Sequence, residues 1–123
     1  MKAVCIESHG NPDVVKYLDI DEPECKKNLI KVKIKASSIN HLDIWVRKGI
    51  PGHKISDLFI LGSDASGEIV DIGSDIKGYS IGDKVVVQPG IFNKESKKYE
   101  EGKEHYSSSY GIIGETVNGV QSE

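Results

Sequence analysis

Two Val- and Ile-rich runs, each opened and closed by glycine, constrain this chain more than any other feature. Leu61-Gly62-Ser63-Asp64-Ala65-Ser66-Gly67-Glu68-Ile69-Val70-Asp71-Ile72-Gly73 is followed by Gly82-Asp83-Lys84-Val85-Val86-Val87. β-branched side chains lose freedom in a helix and fit a pleated surface, while glycine permits the bends at which strands of a small barrel turn. The runs predict central strands from Ile60 to Ile72 and from Lys84 to Val87, joined through Gly73 to Gly82. Asp64 lies between Gly62 and Gly67. It reads either as a cap on local amides or as a carboxylate facing a cleft that the missing glycine side chains leave open.

The remainder of the pattern is also mostly β. Lys2 to Glu7 predicts a strand, Ser8 to Pro12 a turn containing a solvated His9, and Val14 to Ile20 a returning strand. From Leu29 onward Ile30, Val32, Ile34 and Ala36 alternate with Lys31, Lys33 and Lys35, the signature of a half-buried strand with a solvated outer face. At Asn40 the period changes. Asn40 is an N-cap, Asp43 its capping-box partner, and Leu42, Trp45 and Val46 share one face that should pack into the core. Arg47 and Lys48 suit the negative end of the helix, and Gly49 ends it. An irregular loop spanning Ile50 to Phe59 follows.

A chain of 123 residues with 37% apolar content is expected to form one domain. A net charge of -3 with interspersed signs speaks against nucleic acid as a partner. No apolar run approaches the ~20 residues of a membrane helix, and the N-terminus lacks the apolar core of a signal peptide. These features predict a cytoplasmic protein without membrane contact, with Cys5 and Cys25 reduced. Beyond Pro89-Gly90 the stretch from Asn93 to Ser109 is charged and nearly free of aliphatic residues, so it should form a lobe or mobile loop that adds little to the core.

Several motifs converge on one resemblance. Gly-Ser-Asp-x-x-Gly-x-Ile-Val-x-x-Gly from Gly62, the downstream Gly-Asp-Lys-Val, Ser38-Ile39-Asn40-His41-Leu42-Asp43 with Arg47-Lys48-Gly49, and Val87-Gln88-Pro89-Gly90 resemble the N-terminal domain of the medium-chain dehydrogenase/reductases. This is the superfamily of alcohol dehydrogenases and quinone oxidoreductases. The fold implied is mainly β, a GroES-like, partly open β-barrel with short helices, and the glycine-punctuated patterning agrees with it. The resemblance implies that residues 1–123 form the substrate-side domain, with a metal-free lobe at 93–109. The Rossmann domain would lie outside this chain, since no Gly-x-Gly-x-x-Gly follows a strand here.

The same resemblance bears on zinc. Members holding a catalytic zinc take a thiolate from the position of Asn40, an imidazole from that of Ser63 and a carboxylate neighbour from that of Asp64. The structural zinc lobe places four cysteines where this chain has Asn93, Ser96, Tyr99 and Ser107. Amides and hydroxyls replace thiolates poorly, and His105 alone cannot hold the ion, so no metal-binding residues and no zinc are expected. The implied relatives are the zinc-independent quinone oxidoreductases and enoyl reductases. Asn40, His41 and Asp64 are then the catalytic candidates. Asn40 and His41 are also cofactor-binding candidates, the amide toward a cofactor or substrate carbonyl and the imidazole toward a phosphate or a proton relay. Asn40 and Asp64 read equally well as cap and turn former, and Asp43 reads as structural.

The function so implied is that of part of a zinc-independent, NAD(P)-dependent oxidoreductase, inactive alone. In the complete enzyme it would act on a small carbonyl, alcohol, quinone or enoyl substrate, and a homo-oligomer is compatible with that role. A stand-alone, non-catalytic binding module with the same barrel is the alternative. A co-chaperonin is disfavoured by the helix at Asn40 and the Gly-Ser-Asp turn.

Overall fold

The structure, a computed structural model, describes residues 1–55 and 57–123. Ser56, in the loop expected between the helix and the central strands, lies outside the described residues. Strand β1 (Lys2–Ile6) pairs antiparallel with β2 (Lys16–Asp19) on one side and β4 (Phe59–Ile60) on the other. A second sheet joins β3 (Ile30–Ser38), β5 (Asp64–Ile72) and β6 (Lys84–Val86) in the order β3-β5-β6. A short ladder links β7 (Gly90–Ile91) to β8 (Gly111–Ile112). Helix α1 (His41–Lys48) follows β3, and α2 (Lys97–Glu100) lies in the charged lobe. The architecture is mainly β with short helices, and the sheets do not close into a complete barrel.

The chain enters β2 later than its apolar pattern predicts. Pro12–Val14 form a turn of 3-10 helix, so the strand runs from Lys16 to Asp19 instead of from Val14 to Ile20. Proline fixes a φ suited to that turn, and Val14 packs against the core cluster. His9 is half-buried rather than solvated: its Nδ1–H donates to the Val46 carbonyl at 2.8 Å, against the end of α1. Gly10 N–H donates to the Arg47 carbonyl at 2.8 Å, tying the same turn to the helix. These bonds take carbonyls that the last turn of a helix otherwise leaves open.

The run expected as one strand from Ile60 to Ile72 is interrupted. Gly62 adopts φ +95°, a region that only glycine enters without strain; Leu61 N–H still donates to the Val4 carbonyl at 3.2 Å, and Gly62 and Ser63 leave the ladder before β5 starts at Asp64. The carbonyls at this break bond the end of the chain. Gly119 N–H donates to the Ile60 carbonyl at 2.7 Å, Gln121 N–H to Leu61 at 2.9 Å and Val120 N–H to Gly62 at 3.0 Å. Val4 N–H donates to the Gln121 carbonyl at 2.8 Å, which brings the last residues alongside β1. A Cβ on Gly119 would lie 2.3 Å from both the Leu61 and Gly62 carbonyl oxygens, so only glycine fits there.

The core gathers Ile6, Val46, Phe59 and Leu61, with Leu42, Ile50 and Ile55 packed around them. It therefore binds the inner face of α1 to β1 and β4. Trp45, expected in the core, is 55% exposed. The inward face of α1 is centred on Asp43 and Val46, and the helical step from 43 to 46 turns Trp45 outward.

The lobe has more local order than its composition predicts. Besides α2 it holds a 3-10 turn at Glu104–Tyr106, and Phe92 stacks on Tyr99 with ring centroids 5.4 Å apart. No helix among the described residues is long and apolar enough to cross a membrane.

Candidate functional site

Asp43 anchors the site although it is not itself displayed. The residue is 5% exposed, its Oδ2 accepts the Asn40 backbone N–H at 2.7 Å, and its Oδ1 accepts the Gly62 N–H at 3.0 Å. One carboxylate thus caps the first turn of α1 and grips the break before β5. A buried carboxylate satisfied by two backbone donors is far less costly than an unpaired one. The structural reading of Asp43 is matched by its bonds, and its reach to Gly62 extends beyond the capping box of the sequence pattern.

Above this anchor the structure brings Asn40 and Asp64 into contact. Asn40 Nδ2 donates to Asp64 Oδ2 at 2.8 Å, and Ser38 Oγ donates to the same oxygen at 3.3 Å. The contact follows from register: Ser38 closes β3 directly opposite Asp64, which opens β5, and Asn40 begins the helix two residues later. Asp64 and Ser38 are exposed, and Asn40 is half-buried. His41 is exposed on the outer side of α1, where its ring lies 4.8 Å from that of Trp45. No hydrogen bond joins His41 to Asn40 or Asp64 among the described residues, so the three candidates form a bonded pair and a neighbouring aromatic step.

Two residues absent from the sequence-derived candidates lie beside Asp64, Ser38 across the strand pair and Ser63 before it in the chain. Ser38 became visible only through strand register. Ser63, immediately before Asp64, is 5% exposed and its hydroxyl has no partner among the described residues. The Gly-Ser-Asp motif drew attention to Ser63, but no pattern in the chain indicates that its hydroxyl is buried. Apart from the buried Ser63 hydroxyl, the side chains offer one exposed carboxylate, one amide, one hydroxyl and an imidazole. Such a set can orient a polar ligand by hydrogen bonds.

Away from this surface, a cleft of about 440 Å³ lies between β3 and the end of the chain, with Ile30, Val32, Ile34, Val70 and Val120 among its walls. None of Asn40, His41 and Asp64 lines it. In the lobe, Asn93 Oδ1 accepts the Glu95 N–H at 2.9 Å and Ser96 Oγ accepts the Tyr99 N–H at 3.2 Å. Ser107 and Ser109 hydroxyls lie 2.9 Å apart. Among the described residues, no three His, Cys, Asp or Glu side chains converge as a metal site. Burial, and secondarily Glu7, pushes the Cys5 thiol up, which favours its protonated form, and both cysteines are free.

The chain as a whole is similar to known proteins. The chain is 27% identical over its whole length to an NAD-dependent alcohol dehydrogenase of Sulfolobus acidocaldarius, of which it covers 37%. It is 34% identical over 75% of its length to the chloroplastic quinone-oxidoreductase QR1 of Triphysaria versicolor, covering 29% of that protein. A solved NAD-dependent alcohol dehydrogenase superposes on 98% of the chain with a TM-score of 0.92 at 34% identity, the match covering 35% of that protein. The chain thus spans about a third of the length of these relatives. Residues 26–123 match the alcohol dehydrogenase GroES-like domain, and the chain belongs to that family, among the medium-chain alcohol dehydrogenases and quinone oxidoreductases.

Proposed function

We propose that this chain is the substrate-side domain of a zinc-independent, NAD(P)-dependent oxidoreductase, and that it does not turn over alone. The observation that carries the reading is the bonded pair of Asn40 and Asp64 at the junction of β3, α1 and β5. The relatives' names, NAD-dependent alcohol dehydrogenase and quinone-oxidoreductase, support hydride transfer on an alcohol or a quinone. A bound nicotinamide would accept a hydride from an alcohol or give one to a carbonyl, quinone or enoyl group. Asn40 would orient a polar group of substrate or cofactor through its second amide hydrogen, and Asp64 would fix that amide. His41, exposed at the start of α1, would face a phosphate or pass a proton. A phosphate-binding glycine turn is missing from the chain, so cofactor affinity is assigned to a further domain.

Zinc does not fit the residues present. At the catalytic position the donors are an amide whose nitrogen is given to Asp64, a buried hydroxyl and one carboxylate, with no thiolate or imidazole among them. In the lobe, Asn93 and Ser96 already accept backbone N–H groups, and Tyr99 stacks on Phe92. These are poor zinc donors, and the lobe has its own closure.

The test uses a protein in which a dinucleotide-binding domain follows residue 123. Asn40→Ala there is expected to lower kcat/KM by at least about tenfold, more than the ~1 kcal/mol that loss of a helix cap removes from stability would explain. Activity untouched by Asn40→Ala would reduce the residue to a cap. NAD(P)H oxidation by the 123-residue chain alone would overturn the assignment.

A further inference from the structure

The hydrogen bonds around Asp64 are one-sided. Ser38 Oγ and Asn40 Nδ2 both donate to Oδ2, at 3.3 and 2.8 Å. Among the described residues no group donates to Oδ1, and no cation pairs with the carboxylate. An exposed carboxylate left to itself turns freely and stays hydrated on both oxygens. Holding its plane with two neutral donors costs side-chain entropy and leaves its charge uncompensated. The arrangement therefore achieves orientation more than stability.

We propose that Ser38 is a positioning residue. With Asn40 it occupies Oδ2, so that Oδ1 is presented as the acceptor for a ligand group carrying a hydrogen, an alcohol hydroxyl or a carboxamide N–H. A carboxylate only accepts. A ketone or quinone oxygen placed there would bring lone pairs against negative charge, and an anionic group would meet like charge. His41, next to Asn40 in the chain, and Trp45, 55% exposed, put two aromatic side chains on the helix that Asn40 opens. Within the substrate classes named above, this favours the hydroxyl-bearing partner over the acceptor-only one. The inference rests on the preceding reading only for the location of the site.

Four aromatic probes of similar size test it on the chain itself: benzyl alcohol, benzamide, acetophenone and benzoate, followed by two-dimensional ¹⁵N NMR. Benzyl alcohol and benzamide are expected to shift the Asp64 and Asn40 amides and the Trp45 indole. Their half-saturation should lie at least about fivefold below that of acetophenone and benzoate. Ser38→Ala should weaken the two hydrogen-bearing probes about threefold to tenfold, and Ser38→Thr, which keeps a hydroxyl, should restore them. Asp64→Asn, which can turn an N–H outward, should abolish the discrimination against acetophenone. Equal response to all four probes, no response at Asp64, or a preference that survives Asp64→Asn would overturn the proposal. Since these readouts involve no hydride transfer, an inactive two-domain protein that keeps the probe preference would count against the oxidoreductase reading alone.

Discussion

Replacing Asp43 by alanine should damage this domain far more than the loss of a capping residue. The side chain is 5% exposed and accepts two backbone N–H groups, from Asn40 at 2.7 Å and from Gly62 at 3.0 Å. Hydrogen bonds to a charged acceptor contribute about 1.5–3 kcal/mol each, so removing both costs about 3–6 kcal/mol. Alanine offers no replacement acceptor to either donor, which keeps the loss near the upper part of that range. A domain of this size has about 5–15 kcal/mol in total, so a large share of its stability hangs on one carboxylate. Asp43→Asn keeps the shape but has one acceptor oxygen for two donors, and should lose about half as much. Asn40→Ala, for comparison, should cost about 1 kcal/mol. Urea unfolding at pH 7 followed by far-UV circular dichroism measures all three, with the slope checked for constancy. A loss below about 1 kcal/mol for Asp43→Ala would mean that the carboxylate is an ordinary capping-box partner and does not hold Gly62.

Other expectations follow from the same contacts. Gly119→Ala should destabilise by about 2–3 kcal/mol, because its Cβ would fall 2.3 Å from two carbonyl oxygens, and faster hydrogen exchange at Val4, Val120 and Gln121 would report the detached chain end. Unchanged exchange would refute that clasp. The hydrogen bond from Lys2, aided by its charge, holds the Asp19 carboxyl below its ordinary 3.8. A carboxyl depressed on folding stabilises above its ordinary range and loses that contribution as pH falls through the folded value. Lys2→Met should therefore move the Asp19 titration, read by carboxyl ¹³C NMR, up toward 3.8, and a midpoint that stays put would exclude the pairing. Elemental analysis of chain purified without added metal should find no stoichiometric zinc, and one tightly held zinc per chain would show that Asn93, Ser96, Tyr99 and Ser107 are wrongly matched to the ligand positions. Tyr99→Ala, which removes the stack on Phe92, should speed proteolysis within 93–109 and leave the sheets intact, whereas cleavage first in β5 would contradict that lobe as the weakest segment.

What the chain declares by itself is whatever depends on near neighbours. The alternation from Ile30 to Lys35 determined β3, and Asn40, Asp43 and Gly49 determined both ends of α1, because pleat, cap and left-handed glycine are set within a few residues. The motif from Gly62 to Gly73, together with those at Ser38, Gly82 and Val87, carried the family and a mainly β fold. Contacts distant in sequence were decided only in three dimensions. Ser38 meets Asp64 through β3–β5 register, Asp43 reaches Gly62 across 19 residues, and Gly119 enters where Gly62 leaves the ladder. Trp45, expected in the core from its pattern, turns outward for the same reason. Its apolar surface is a local property, but the side of α1 that turns inward is the one carrying Asp43, bonded to Gly62, and Val46, packed with Ile6, Phe59 and Leu61.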